Sequence, residues 1–256
     1  MNLHPAARVS PPPAPGFPLP RVRRGAFTLV ELLTVIAIIG ILAAILIPTT
    51  GSARAAANKA KTRAQFAQWA SAIEAFRQEY GYYPTFETNN KVNGTTASST
   101  TGSALHRFYD TLVGTRRDGT ALPAVRTGAQ PSPAPPEAQN TRRIQFMSFT
   151  EADIVPVSTT DPTLTAKRGL IRDAFDDTDI AVLVDRNLDG AIRNNNTDFT
   201  GALPTVSPPD NTAVRIAGPG TADFPTGATG GVRAGVIFYC APPKAATSAD
   251  LIMSWK

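Results

Sequence analysis

The sequence predicts an α+β chain in which a long N-terminal helix, membrane-spanning in its first half, packs with its second half on a small antiparallel β-sheet. Three observations lead there. Phe27 to Ile47 is a 21-residue run whose only charge is Glu31. At about 1.5 Å per residue it spans roughly 30 Å, the thickness of a bilayer's hydrocarbon core. Beyond it, Phe66, Trp69, Ile73, Phe76 and Tyr80 recur at spacings of three and four, which places them on one face of a helix. The rest of the chain alternates short apolar runs with stretches rich in Gly, Pro, Ser and Thr, the pattern of strands and loops.

Charge sorts along the chain. The net charge of +5 suggests a nucleic-acid partner until the positions are read. Arg8, Arg21, Arg23 and Arg24 precede the apolar run and no acidic residue does, so the remainder of the chain carries 21 basic against 20 acidic residues. No nucleic-acid partner is indicated. Arginines crowding the start of the span favour a cytoplasmic N-terminus, although Arg54, Lys59, Lys61 and Arg63 come closely after it.

From Ala53 the composition of Ala, Lys, Arg and Gln favours continued helix. Gly81 is a natural C-cap and Pro84 stops further propagation. Strands are expected at Ile144–Phe149, Ile180–Val184, Val214–Ala217, Val236–Tyr239 and Leu251–Trp255. Asn89–Ser103, Thr115–Thr141 and Gly201–Gly231 read as mobile loops.

Few residues suggest chemistry. Cys240 is the single cysteine, so no intramolecular disulfide forms, and a buried thiol near a strand is expected. His106 lies in "SALHRFYD" without a recognisable nucleophile or metal motif. Asp173, Asp176, Asp177 and Asp179 cluster after "KRGLIR", where a solvated group is the expectation. The chain is not expected to be an enzyme or to require a cofactor.

"DRNLDG" at Asp185–Gly190 matches the opening of a calcium loop, with Asp185, Asn187, Asp189 and the Ala191 carbonyl as ligands. Asn196 stands where such a loop ends in a bidentate Glu, with Asp198 just beyond. The alternative is a hairpin turn with Asp189 and Gly190 as its left-handed residues.

A carboxylate in an otherwise apolar span costs about 2.5 to 3.5 kcal/mol on insertion scales, so Glu31 needs a partner or a route to the headgroups. "GAFTLVELLTVIAIIGILAAILIP" resembles the N-terminal segment of type IV pilins and type II secretion pseudopilins. Phe27 and the Glu31 four residues beyond it, with Gly40 and Pro48 thirteen and twenty-one residues beyond, stand in that family's register. "EYGYYPT" at Glu79–Thr85 also resembles the segment by which pseudopilins leave the long helix.

The resemblance implies a pilin-like fold and a short leader removed by a prepilin peptidase. Cleavage falls between Ala26 and Phe27, where the family usually has Gly in place of Ala26, and Phe27 is then N-methylated. Glu31 would meet the terminal amine of a neighbouring subunit during assembly, and Gly40 and Pro48 would loosen the helix. The implied organisation is a leader at 1–26, a transmembrane helix at 27–48, the exported half-helix and exit at 49–84, and a periplasmic domain at 85–256. Implied partners are other pilin-like subunits, the peptidase, an inner-membrane platform with its motor ATPase, and membrane lipid. The competing reading is a soluble binding protein or hydrolase released by an ordinary signal peptidase near Ala55, after "SARA".

Overall fold

The computed structural model describes residues 28–94, 106–125, 128, 133–156, 160, 167–195, 197–199, 201–210, 214–225 and 230–256. The leader, Ala26, Phe27, Asn196 and parts of the three expected loops lie outside them. The chain divides into two compact units, Met1–Thr50 and Gly51–Lys256. One helix, α1 (Leu29–Tyr80), contributes residues to both.

In the first unit, every Leu, Ile and Val from Leu29 to Leu46 is exposed. Burying one such side chain is worth about 1.5 to 3 kcal/mol, so a helix bare on all sides needs an apolar surrounding. It is the one described helix long and apolar enough to cross a membrane.

The second unit is built on the aromatic stripe. Phe66, Trp69, Ile73 and Phe76 are fully buried. Facing them is a three-stranded antiparallel sheet of β1 (Ala181–Val184), β2 (Val236–Cys240) and β3 (Ile252–Met253), with β2 in the centre. Ala181 pairs with Tyr239, Val184 with Val236, and Cys240 with Ile252. Phe238 receives the stripe: its ring centroid is 5.4 Å from that of Phe66 and 5.5 Å from that of Trp69. The last helical turns have further aromatic partners. Phe76 and Tyr80 pack on Tyr82 and Phe146.

Both faces of the sheet are covered. Val182, Val184, Val236, Phe238 and Ile252 enter the core shared with α1. Ala181, Leu183, Ile237, Tyr239 and Met253 enter a second core with Ile192, Phe199, Val206, Ile216, Phe224 and Val232. The strands are therefore uninterrupted apolar runs, as two-sided burial demands. The stretch Gly201–Gly231, expected to be a loop, supplies Val206, Ile216 and Phe224 to that core, so its described residues are an anchored cover.

Several strand expectations are corrected. Ile144–Phe149 forms no strand, because its backbone is taken elsewhere: Ile144 N–H donates to Asn140 Oδ1 (2.9 Å) and Phe146 N–H to the Leu112 carbonyl (2.8 Å). Val214–Ala217 contributes only an isolated bridge between Ile216 and Val206, and Leu251–Trp255 shortens to β3. The expected Thr115–Thr141 loop contains a helical turn, α3 (Pro136–Gln139), which contacts α2 (Arg107–Val113).

Helix α1 ends where glycine permits. Gly81 has φ +79° and donates its N–H to the Arg77 carbonyl at 2.8 Å, an αL cap. The exit segment is then stitched down by Asn140, which is fully buried. Its Nδ2 donates to the carbonyls of Thr111 (2.8 Å) and Ile144 (2.7 Å), and its Oδ1 also accepts the Tyr80 hydroxyl (2.7 Å). Asn140→Ala strands these buried groups, each costing about 1 to 3 kcal/mol when left unpaired. Urea unfolding of the full chain in detergent should show a loss of about 3 kcal/mol with an unchanged m-value, and a loss below about 0.5 kcal/mol would contradict this role.

Candidate functional site

The N-terminal turn of α1 holds the lone carboxylate of the apolar span. Thr28 is the residue before the helix and Glu31 its third helical residue. Glu31 N–H donates to Thr28 Oγ1 (3.2 Å), while Thr28 N–H and Oγ1–H both donate to Glu31 Oε2 at 2.8 Å. This is a reciprocal capping box, which satisfies two backbone donors that the helix start otherwise leaves open. Glu31 thus has a partner inside its own subunit. The sequence carries the signal for it as T-x-x-E, Thr28 to Glu31, at the start of an apolar run.

Helix α1 continues without a break through Gly40 and Pro48. A Cβ added at Gly40 would meet nothing within 4 Å among the described residues, so none of these reserves that position for glycine.

Residues 21–47 match the family described as the prokaryotic N-terminal methylation motif. The chain carries a type IV pilin/pseudopilin-type prepilin motif. The matched segment includes Ala26, Phe27, Glu31 and Gly40. Comparison with the curated proteins and with the solved structures finds no match. The prepilin motif points to a precursor processed by a prepilin peptidase and to pilin-like polymerisation. With the exposed apolar helix behind it, the motif fits anchoring in a membrane.

At the second candidate, Asp185 sits at the end of β1 and is buried. Its Oδ1 accepts Asp189 N–H (3.2 Å) and its Oδ2 accepts Gly190 N–H (2.8 Å). Asn187 Oδ1 also accepts Asp189 N–H, and Asp189 Oδ1 accepts Ala191 N–H. Asp198 comes alongside, accepting the backbone N–H groups of Arg186 (2.8 Å) and Arg193 (2.9 Å). The side chains of Asp185, Asn187 and Asp189 are thus spent on the turn's own amides, and Asp198 holds its two flanks. Arg193 pairs with Asp189, whereas Arg186 reaches Asn90. Burial raises the Asp185 pKa, and the neighbouring Asp198 and Asp189 charges add to the rise.

The hairpin alternative is corrected. β1 pairs with β2, and Ile192 bridges to Val232 instead of folding back on β1. The left-handed residues are Leu188 (φ +60°) and Gly190 (φ +85°), not Asp189.

The expectation of a solvated acidic cluster is also corrected. Asp176 pairs with Arg172 and Asp179 with Lys91, but Asp173 and Asp177 are buried. Cys240 is buried at the end of β2, as expected. His106 is buried as well, and desolvation, assisted by Arg117, pushes it down to about 4, which keeps it neutral at pH 7.

Proposed function

We propose that this chain is a pilin-like (pseudopilin) structural subunit. Its leader is removed by a prepilin peptidase between Ala26 and Phe27, Phe27 is N-methylated, and an inner-membrane platform with a motor ATPase assembles it into a type II secretion pseudopilus or a type IV pilus. Before assembly it is a single-pass inner-membrane protein with a cytoplasmic N-terminus and a periplasmic C-terminal domain. In the filament the Glu31 carboxylate meets the terminal amine of a neighbour, and Gly40 and Pro48 let the intervening helix loosen.

The observation that carries this reading is Glu31, placed four residues after Phe27 within the matched motif, in the first turn of a helix that is apolar and exposed all round. The open space at Gly40 supports a role for that glycine outside the isolated subunit. Ser52–Ala55, the cleavage stretch of the secreted alternative, lies inside α1, with no break in the helix there. Mass spectrometry of membrane-extracted protein should find N-methyl-phenylalanine at position 27 as the mature N-terminus. An intact Met1 in a host with an active prepilin peptidase would overturn the reading, and a start near Ala56 would establish the secreted alternative.

For the Asp185 loop we propose weak calcium binding through Asp185, Asn187, Asp189 and the Ala191 carbonyl, with Asp198 alongside. Two buried carboxylates, Asp185 and Asp198, facing one turn favour a cation. The Asp189 pairing with Arg193 competes with it and sets a dissociation constant of about 10⁻⁴ to 10⁻³ M. Ten-fold calcium excess over that constant stabilises by roughly 1.4 kcal/mol. The full chain should melt higher in millimolar calcium than in chelator, and Asp189→Ala should abolish the difference. A melting temperature indifferent to calcium would leave a turn held by its own amides.

A further inference from the structure

A buried constellation in the second unit is used neither by assembly nor by the Asp185 loop. Asp173, Asp177 and Cys240 are 3%, 1% and 0% exposed. One oxygen of each carboxyl and the cysteine sulfur all lie within 4.8 Å of one another. Cys240 comes from the end of β2, and the two aspartates bracket a tight turn in which Asp176 has φ +62°.

The carboxyls are held in a particular way. Asp173 Oδ1 accepts the N–H groups of Phe175 (2.7 Å) and Asp177 (2.9 Å), and Asp177 Oδ1 accepts Asp179 N–H (2.9 Å). Each acid is thereby anchored to the backbone through one oxygen. The other oxygens differ in what they meet. Asp173 Oδ2 lies 3.2 Å from Cys240 Sγ and 3.4 Å from the hydroxyl of Thr62, on α1. Asp177 Oδ2 is buried without a hydrogen-bond partner among the described residues.

We propose that Asp173, Asp177 and Cys240 form a structural zinc site, with Asp173 Oδ2, a carboxyl oxygen of Asp177 and the Cys240 thiolate as ligands. Three protein ligands leave the fourth position to a water. Zinc accepts sulfur at about 2.3 Å and carboxylate oxygen at about 2.0 to 2.2 Å in a tetrahedron, which sets the sulfur-to-oxygen edge near roughly 3.5 Å. The Cys240–Asp173 separation of 3.2 Å is already close to that edge. A thiolate beside carboxylates suits this borderline ion, whereas calcium takes oxygen ligands alone. The backbone N–H groups on the opposite oxygens orient the ligands, as outer-shell donors do at metal centres. Zinc here would tie β2 to the 173–177 turn next to α1, cross-linking a chain whose single cysteine forms no internal disulfide.

The test uses the full chain in detergent, prepared with zinc and, because the site is buried, also refolded from denaturant with Zn²⁺ or Co²⁺. Wild type should hold about one zinc per chain by mass spectrometry of metals, and melt lower once chelator is present during refolding. The cobalt form should show thiolate-to-cobalt charge-transfer absorption in the near ultraviolet. Cys240→Ala should lose that band. Asp177→Asn, which keeps the side-chain shape and so guards against a misfolded cysteine variant, should cut zinc content about ten-fold or more while circular dichroism stays unchanged. Background zinc in wild type after both preparations, with no cobalt band and a melt indifferent to metal, would overturn the proposal and leave two buried acids beside a thiol. Full zinc content in both variants would overturn it as well, by placing the metal elsewhere.

Discussion

A carboxylate in the first turn of an otherwise apolar helix has to be partnered wherever that helix goes. Here the partner within the subunit is Thr28, whose N–H and hydroxyl both reach Glu31 Oε2. The box completes the helix start and gives the charge two donors. It also fixes what assembly has to offer, because a cation from a neighbouring subunit has to compete with, or add to, bonds already made. On the proposed function, the amine that cleavage would free at Phe27 is a suitable competitor, because it is charged.

The second unit obeys a different constraint, the burial of an aromatic stripe. Trp69 lies at its centre, with Phe66, Phe108, Phe149 and Phe238 all within 6.4 Å between ring centroids. Helix α1 itself provides Phe66, the small sheet Phe238, α2 Phe108 and irregular chain Phe149. Because three short strands offer little surface, the other face of the sheet is closed by single apolar residues spaced along loops. Polar side chains set those loops in place. Asn140 does this for the helix exit, and Asp185 and Asp198 do it for the turn after β1.

How much of the fold can be read from sequence depends on how local each signal is. The apolar span, the stripe from Phe66 to Phe76, the Gly81 cap and the runs that become β1 and β2 are all periodic or compositional, and all appear in the fold. Ile144–Phe149 reads as a strand because it is apolar, yet whether it pairs depends on Asn140 and Leu112, which no local pattern reveals. The covering role of Val206, Ile216 and Phe224 is likewise hidden, since each is isolated among Gly, Pro and Thr. At the candidate site the register of Phe27 and Glu31 was legible. The capping role of Glu31 was equally local but overshadowed by its role as a lone charge. The approach of Asp173 and Asp177 to Cys240, more than sixty residues away, had no local trace.

On the proposed function, assembly depends on the charge of Glu31, distinct from its capping bonds. Glu31→Gln isolates it, because glutamine can still accept from Thr28 as the third residue of a capping box while carrying no charge. The decisive measurement co-expresses the variant with wild type in the native host and quantifies each in the membrane and in the assembled, sheared fraction. The expected result is equal membrane insertion and a fall of about ten-fold or more in incorporation, equivalent to about 1.4 kcal/mol per subunit contact. Equal incorporation of the two forms would contradict this and reduce Glu31 to a helix cap at the membrane surface.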